Sequence, residues 1–127
     1  LWVNEFGVEQ NVNIYIKPDN VQDIIRNADI YLSTSLFEGT SNSIMEAMNW
    51  SLPIVATNVG DNDHLIVEGV NGMLHPIGDY IGMAHSIATL LSRSEIRNQY
   101  GKCGNDTLRS KYSMEVFETR YLELIKQ

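Results

Sequence analysis

Short apolar segments alternate with helix-like segments along this chain, and no other feature of the sequence restricts its fold as strongly. Residues 12–16 (VNIYI), 29–35 (DIYLSTS) and 53–59 (PIVATNV) are rich in β-branched and aromatic residues, which are favoured in strands. Segments with apolar residues at helical spacing separate and follow these three runs. The alternation predicts βα units, and therefore an α/β fold in which helices flank a parallel, Rossmann-like sheet.

Capping and turn residues predict the boundaries of the shorter elements. Asn20 is expected to cap a helix over 21–28, because asparagine accepts hydrogen bonds from the first free amides of a helix. A loop with a short helical turn is expected after Gly60, and Asn71-Gly72 predicts a tight turn.

The last third of the chain is predicted to be helical. Helices are expected over 81–92 and 95–110, and Ser113 is expected to cap a final helix. The predicted core-facing residues are Ala84, Ile87, Ala88 and Leu91 on the first helix, and Ile96, Tyr100, Cys103 and Thr107 on the second.

Size and composition predict a single domain over residues 1–127, of which 43% are hydrophobic. The single cysteine, Cys103, cannot form an internal disulfide, and no segment approaches the roughly 20 apolar residues of a membrane helix. A soluble, cytoplasmic protein is therefore expected. Because the sequence starts at Leu1 without a signal segment, we also expect it to be part of a longer chain.

Charge is unevenly distributed along the chain. Residues 1–92 carry two basic side chains against eleven acidic ones, whereas residues 93–127 carry seven against five. No nucleic acid partner is expected, because proteins bind nucleic acids mainly through lysine and arginine side chains that neutralise phosphates. Anionic membrane surfaces are disfavoured for the same reason. A peripheral membrane association of a full-length protein would need a basic patch outside this chain.

Residues 38–48 (EGTSNSIMEAM) place two carboxylates and several small polar residues directly after the second predicted strand. One interpretation is purely structural: Ser43 and Glu46 fit a capping box, in which two side chains satisfy each other's backbone amides at a helix start. The second interpretation is a ligand site. Ligands of open parallel sheets bind at the carboxyl ends of the strands, and a helix that begins there directs free amides at an anion.

The side chains of this segment suit a ligand that carries both phosphates and hydroxyl groups. Gly39 allows close approach of the backbone, while Thr40, Ser41 and Asn42 offer hydroxyl and amide groups. The two carboxylates are acceptors for vicinal sugar hydroxyls. A sugar nucleotide has all of these features and is the expected partner.

The whole pattern resembles that of retaining glycosyltransferases with the GT-B fold, in particular the family 4 group with its E-x7-E motif. Seven residues separate Glu38 from Glu46, as in that motif. The other matches follow in the order of the family: Asn11-Val12, Pro18, Ala28-Asp29, Ser35, Gly39, Ala47-Met48, Pro53 to Thr57, Val59-Gly60, Glu68-Gly69, Gly72 and Tyr112-Ser113. The resemblance implies that the chain is the nucleotide-sugar-binding, C-terminal half of a GT-B fold.

This resemblance also implies roles for individual residues. Glu38 would be the catalytic residue against the donor sugar and its phosphate, and Glu46 would hold the ribose hydroxyls. The amides of the donor loop (Gly39, Thr40, Ser41, Asn42 and Ser43) and of Ile44 would contact the diphosphate and the sugar. Ile16, Lys17 and Pro18 would border the base. The family loop commonly reads glycine-phenylalanine-glycine, which Thr40, Ser41 and Asn42 replace here, so the sugar contacts stay open.

By the same resemblance, the intact enzyme would transfer a hexosyl-type group from a nucleotide-diphosphate sugar to an acceptor hydroxyl, in glycan or glycolipid biosynthesis, with no cofactor and no metal. Family members clamp the leaving diphosphate with an Arg and a Lys upstream of the motif, and neither Lys17 nor Arg26 has the matching context. That pair and an N-terminal acceptor-binding domain are expected outside this chain. The isolated chain is expected to bind nucleotides very weakly and to be inactive.

Three alternatives stay open. The first is a non-catalytic sugar-nucleotide-binding or scaffolding domain, and the second is a sugar-nucleotide epimerase of related fold. The third concerns Asp61-Asn62-Asp63, which has the D-x-D spacing of a metal site, although loops favour Asp and Asn for turn formation alone.

Overall fold

Three parallel strands form the sheet at the centre of the molecule, in the order β1-β2-β3. The computed structural model describes residues 2–126. The strands are β1 (Tyr31–Ser33), β2 (Ile54–Thr57) and β3 (Gly72–His75). The helices are α1 (Trp2–Glu5), α2 (Val21–Arg26), α3 (Asn42–Asn49), α4 (Asn62–Leu65), α5 (Tyr80–Ser92), α6 (Ser94–Tyr112) and α7 (Met114–Ile125), and a 3-10 turn spans Glu9–Asn11. The predicted α/β fold with a parallel sheet and flanking helices is confirmed.

The middle strand is covered on both faces, as expected for a parallel sheet with helices on each side. Ile54 and Ala56 pack with the apolar residues of α3 and α4, whereas Val55 packs with those of α5 and α6. Successive side chains of a strand point to opposite faces, so the continuous apolar run PIVAT suits a strand buried on both sides. All four residues of β2 are buried. The prediction of a strand over 53–59 is confirmed for its central part.

The prediction of a strand over 12–16 is wrong. These residues form no strand and no hydrogen-bonded ladder within the part of the chain that the structure describes. Their apolar side chains are exposed, with Ile16 85% accessible. A strand needs a neighbouring strand to satisfy its backbone groups, so local β propensity alone does not produce one. The second predicted strand, over 29–35, shortens to β1 for a related reason, since only Tyr31 to Ser33 pair with β2.

The third strand of the sheet, β3, follows the predicted turn and was not predicted as a strand. Gly72 starts it and pairs with Ile54, at a point where a Cβ atom would collide with the Ile54 backbone. Asn71 immediately before it is buried, and its side chain bonds the backbone of Val67 and of Leu65. The turn lies at residues 69–71, slightly earlier than predicted, with Gly69 at φ of 73°, and Gly72 already belongs to the strand. A four-residue strand beginning with glycine carries little signal of its own.

Helix boundaries were predicted more accurately than the faces that the helices bury. The helix expected over 81–92 is α5, but its buried residues are Met83 and Leu90, and Leu91 is 56% exposed. The predicted stripe of Ala84, Ile87, Ala88 and Leu91 is therefore wrong, apart from Ile87, which packs beside Met83 and Leu90. Apolar residues occur on several sides of α5, so their spacing in the sequence did not define which face of the helix packs against the sheet.

The helix expected over 95–110 is α6, whose packing depends on glycines that the predicted stripe left out. Tyr100, Gly101 and Gly104 are buried, while Cys103 is only partly covered. A Cβ atom on Gly101 would overlap the carbonyl group of Ser51, so the two backbones approach more closely than any side chain would allow. The final helix, α7, begins as predicted, because Ser113 Oγ accepts a 3.3 Å hydrogen bond from Val116 N.

At the first longer helix, α2, the capping prediction is wrong. Asn20 stands at the N-cap, but its side chain makes no capping hydrogen bond; its backbone carbonyl accepts from Asp23 N and Ile24 N instead. Within residues 2–126, none of the helices is both long and apolar enough to cross a membrane.

Candidate functional site

The carboxyl ends of the strands bring the loops after β1 and β2 together. Thr57 Oγ1, at the end of β2, donates a 2.6 Å hydrogen bond to the carbonyl oxygen of Ser35, which follows β1. Asp61 N, four residues after β2, donates a 3.4 Å hydrogen bond to Gly39 O. The segment predicted to bind a ligand therefore lies at the sheet edge where ligands of parallel α/β folds bind.

Glu38 is held by a short chain of hydroxyl groups. Ser35 Oγ donates a 2.6 Å hydrogen bond to Glu38 Oε1, and Ser33 Oγ lies 3.3 Å from Ser35 Oγ. Ser33 is 7% exposed at the last position of β1. A hydrogen bond to a carboxylate is stronger than one between neutral groups, so Ser35 restricts the orientation of the Glu38 side chain.

The cap of α3 differs from the prediction. Ser41, which is 2% exposed and has an extended backbone, accepts a 3.4 Å hydrogen bond from Ile44 N, and α3 begins at Asn42. Ser43 lies inside the first turn with its hydroxyl 3.1 Å from that of Ser41. The capping box between Ser43 and Glu46 is therefore wrong, because the third helical position is occupied by the apolar Ile44. The Glu46 carboxylate is not engaged by the helix start.

Free backbone amides dominate the donor loop. Among residues 2–126, no hydrogen-bond acceptor is found for any of the five consecutive N–H groups from Gly39 to Ser43. Met45 N is the first amide of α3 that bonds to a backbone carbonyl, that of Ser41. Unpaired amides at a helix start suit an anion such as a phosphate group.

Glu46 lies on the second turn of α3, beside an open groove of about 420 Å³. The other residues that line this groove are Gln22, Asn42, Met45, Asn49 and Leu108. Asn42 is shared between the groove and the donor loop. The groove beside Glu46 therefore reaches the donor loop at Asn42.

The residues predicted to border the base lie in an irregular segment before α2. Ile16 is exposed, and Lys17 adopts a left-handed backbone with φ of 49°. No hydrogen bond within the described residues joins Ile16, Lys17 or Pro18 to the donor loop. Their role in base binding stays a prediction.

Two residues of this site were present in the motif pattern but had no role assigned from sequence. Ser35 bonds Glu38, and Gly60, with φ of 55°, lies so close to Glu38 and Gly39 that a Cβ atom would overlap their carbonyl oxygens. Only Gly readily combines a left-handed backbone with such an approach. Both positions stood among the residues that resemble the family, which was the available signal.

A second polar cluster joins β3 to α5. His75 Nδ1 lies 3.0 Å from Asp79 Oδ2, and His75 Nε2 lies 2.8 Å from Ser86 Oγ. Asp79 Oδ1 also accepts a 3.0 Å hydrogen bond from Gly82 N and so caps α5. The Gly82 hydrogen bond, followed by that with His75, holds the pKa of Asp79 below its ordinary value of 3.8. The cluster fastens the last strand to its helix.

The D-x-D spacing is not accompanied by a metal-binding cluster. Asp61 Oδ2 accepts a 2.8 Å hydrogen bond from Thr40 Oγ1, while the carboxylates of Asp61 and Asp63 lie 3.8 and 3.9 Å from the His64 ring. Over the residues that the structure covers, no three His, Cys, Asp or Glu side chains converge closely enough to hold a metal ion.

Known proteins share this sequence pattern and fold. Residues 2–93 match the family described as glycosyl transferases group 1. The lipopolysaccharide core biosynthesis glycosyltransferase LpsE of Rhizobium meliloti is 26% identical over 121 residues, which are 95% of this chain and 36% of that protein. Among solved structures, Anabaena HepE in complex with UDP has a TM-score of 0.91 at 21% identity, covering 98% of this chain and 34% of that chain.

The C-terminal domain of a glycosyl transferase group 1 family protein, LpcC from Francisella tularensis, is also similar. Its TM-score is 0.79 at 26% identity, with 89% of this chain and 60% of that chain covered. The chain spans about a third or less of the length of the curated relatives it matches. Its solved structural neighbours are GT-B glycosyltransferases, as the predicted fold requires. Because the family match covers most of the sequence, this chain belongs to the glycosyl transferases group 1 family.

Proposed function

We propose that this chain is the C-terminal, donor-binding domain of a retaining glycosyltransferase of the family 4 type, with Glu38 to Glu46 as its E-x7-E motif. The full-length enzyme would transfer a hexosyl-type group from a nucleotide-diphosphate sugar to an acceptor hydroxyl. The products would be glycans or glycolipids, made in the cytoplasm. The proposal requires neither a cofactor nor a metal ion.

One observation carries this proposal: five consecutive free amides lie between two carboxylates at the carboxyl edge of a parallel sheet. Amides attract the diphosphate, whereas carboxylates accept hydrogen bonds from sugar hydroxyls. Few ligands other than a sugar nucleotide present both groups within the span of one short loop and one helix turn. A capped helix with a merely structural role would not need Glu38 to be oriented by Ser35.

The geometry supports distinct roles for the two carboxylates. Glu38, oriented by Ser35, would face the transferred sugar and its phosphate, and the donor loop amides would hold the diphosphate. Glu46, beside the groove on the second turn of α3, would accept hydrogen bonds from the ribose hydroxyls. The leaving diphosphate, stabilised by these amides, would direct the acceptor hydroxyl to the same face of the sugar and so preserve its configuration.

Similar proteins support the assignment of donor binding to this domain and of acceptor binding to another domain. The Anabaena structure with the same fold was solved in complex with UDP, and the Francisella structure is a C-terminal domain. Since the chain spans about a third or less of the length of its curated relatives, the acceptor-binding domain and the phosphate-clamping Arg and Lys belong to the rest of the protein on this proposal.

Binding by the isolated chain should be weak. A diphosphate beside Glu38 and Glu46 experiences repulsion that the free amides offset only in part. We expect no micromolar binding of a nucleoside diphosphate to residues 1–127 alone in isothermal calorimetry.

The test uses the full-length enzyme with a panel of nucleoside diphosphate sugars in a thermal-shift assay, followed by activity measurements with the stabilising donor. Glu46→Gln should weaken donor affinity by about tenfold to a hundredfold, since glutamine offers one acceptor oxygen in place of two and no charge, so one of the two ribose hydroxyls loses its partner. Glu95→Gln, at an exposed position in the first turn of α6, is the matched control and should leave affinity unchanged.

Three outcomes would contradict parts of the proposal. Unchanged donor affinity in Glu46→Gln would remove the ribose role. Donor binding without transfer to any acceptor would favour a non-catalytic sugar-nucleotide-binding or scaffolding domain. Recovery of an epimerised sugar nucleotide would favour an epimerase.

A further inference from the structure

The donor loop is bound to a second loop that the E-x7-E motif does not include. We call residues 58–61, which follow β2, the β2 loop. Thr40 Oγ1 donates a 2.8 Å hydrogen bond to Asp61 Oδ2, and Asp61 N donates to Gly39 O at 3.4 Å. Asp61 therefore contacts two successive residues of the donor loop, once through its side chain and once through its backbone.

The β2 loop is itself firmly anchored. Asn58 N donates a 2.8 Å hydrogen bond to His75 O on β3. Asn62, immediately after the loop, is fully buried, and its Nδ2 donates a 2.9 Å hydrogen bond to Thr57 O. Asp61 therefore lies in a loop whose two ends are hydrogen-bonded to β3 and β2.

By contrast, the donor loop has few anchors of its own. Its amides have no acceptor among the residues that the structure covers, and Ser41 is its main internal fixed point, through Ile44 N and the Ser43 hydroxyl. Gly39 adds conformational freedom at the start of the loop. Thr40, between Gly39 and Ser41, is the residue whose side chain ties the exposed part of the loop to the sheet edge.

The negative charge of Asp61 requires an explanation at this place in the fold. Its carboxylate is half exposed and bonds the side chain of Thr40, in the loop whose amides suit a phosphate, where a negative charge is unfavourable for the ligand. The hydrogen bond from Thr40 accounts for a carboxylate at this place, since an anionic acceptor orients a hydroxyl more strongly than a neutral one.

We propose that Asp61 is a positioning residue, which holds Thr40 and thereby the donor loop in the conformation that receives the diphosphate. This inference rests on the proposed donor-binding function. On this inference the role of Asp61 is to orient the donor loop and not to bind a metal ion. The ability of residue 61 to accept a hydrogen bond is the required property, and the charge of Asp61 only strengthens that bond.

Four variants of the full-length enzyme separate these two properties. Asp61→Ala and Thr40→Val each remove the hydrogen bond, and each should lower kcat/KM for the donor by about threefold to tenfold, as expected for one partly exposed hydrogen bond. Asp61→Asn keeps an acceptor and should retain activity within about twofold of the native enzyme. Asp63→Ala removes the same charge two residues away and is the control.

A double-mutant cycle supplies the decisive comparison. Asp61→Ala combined with Thr40→Val should be no worse than either single variant, because both remove the same interaction. Nitrogen-15 relaxation of the Gly39 to Ser43 amides, measured without donor, should show lower order parameters in Asp61→Ala and native values in Asp61→Asn.

The outcomes distinguish this inference from the proposed function. Native loop order parameters in Asp61→Ala, or a loss in Asp61→Asn as large as in Asp61→Ala, would overturn the positioning role. Equal losses in Asp61→Ala and Asp63→Ala would also overturn it, in favour of a general charge effect. If the loop loosens in Asp61→Ala but the native enzyme binds no sugar nucleotide, Asp61 still positions the loop and the proposed function fails.

Discussion

Ser35 Oγ donates a 2.6 Å hydrogen bond to Glu38 Oε1, three residues further along the chain. The serine stands at the junction of two strands, because its own carbonyl oxygen accepts a 2.6 Å hydrogen bond from Thr57 Oγ1 on β2. The orientation of Glu38 therefore depends on the registry of the sheet as well as on the loop that carries it.

Ser35→Ala should lower kcat of the full-length enzyme by about tenfold while changing KM for the donor by less than about threefold. The carboxylate stays in place without its orienting donor, whereas the amides proposed to bind the diphosphate are untouched. Steady-state kinetics with varied donor measure the two constants. Thr34→Ala, an exposed neighbour, is the control. A rise in KM with unchanged kcat would show that Ser35 acts on donor binding instead.

Gly60→Ala should destabilise the protein by at least about 2 kcal/mol. The new Cβ would overlap the carbonyl oxygens of Glu38 and Gly39, in addition to the cost of a left-handed backbone, about 1 kcal/mol. Gly78→Ala is the matched control, because Gly78 has φ of 86° and open space around it. Chemical denaturation of the full-length variants compares the two. Equal losses of unfolding free energy in the two variants would mean that the donor loop can move away from the β2 loop at little energetic cost.

Gly101→Ala and Gly104→Ala, on the same helix, should change stability in opposite directions. Alanine is favoured over glycine inside a helix by about 1 kcal/mol, and at Gly104 its Cβ would meet Met48 Cγ at an ordinary 3.6 Å. At Gly101 the Cβ would overlap the carbonyl group of Ser51, which belongs to the backbone and cannot rotate away. We expect Gly104→Ala to raise the free energy of unfolding and Gly101→Ala to lower it by about 2 kcal/mol or more.

This pair of variants contains its own control, since both positions carry the same helix-propensity gain. Thermal and urea unfolding give the two free-energy changes. Stabilisation by both substitutions would show that α6 can move away from the end of α3 at little cost.

Acidification should weaken the attachment of α5 to β3. The pKa of Asp79 lies below its ordinary value of 3.8, chiefly because of the hydrogen bond from Gly82 N and then that with His75. A lowered folded-state pKa means that the stabilising contribution is fully present above 3.8 and is lost as the pH falls through the lower, folded-state value. Stability should therefore fall as the pH drops below about 4.

The Asp79→Asn variant isolates the charge, because asparagine can still cap the helix through its side-chain oxygen. Melting temperatures of the full-length proteins between pH 3 and pH 7 should converge at the acidic end and differ most above pH 4. Asp106→Asn, an exposed carboxylate on α6, is the control. A constant difference between Asp79→Asn and the native protein across this range would contradict the linkage.

The strands show how much of the secondary structure local sequence can predict. The apolar runs 12–16 and 53–59 look equally strand-like, yet only the second contains a strand. β2 has neighbours on both sides, β1 and β3, which satisfy its backbone groups, whereas residues 12–16 have no ladder partner among the residues described. Strand formation depends on residues distant in sequence, and propensity does not report whether they are present.

The helix start at the candidate site shows the same limit on a smaller scale. Ser41 and Ser43 are both acceptable caps by residue type, and the sequence pattern favoured Ser43 because Glu46 follows at the right spacing. In the structure Ser41 is the cap, which leaves Glu46 available beside the groove. The loop that carries both serines contacts Asp61 and Gly60, which the local capping pattern does not include.

Sequence alone determined the α/β class, the succession of most elements, and the segment of the chain in which the candidate site lies. These properties depend on periodicity and on groups within a few residues of each other, which the order of amino acids records directly. The tertiary structure decided which face of α5 is buried, which serine caps α3, and the contacts of Asp61, Gly60 and Gly101. Those contacts join residues that are far apart in sequence or carry no distinguishing chemistry, so only the packing of the sheet with its loops and helices defines them.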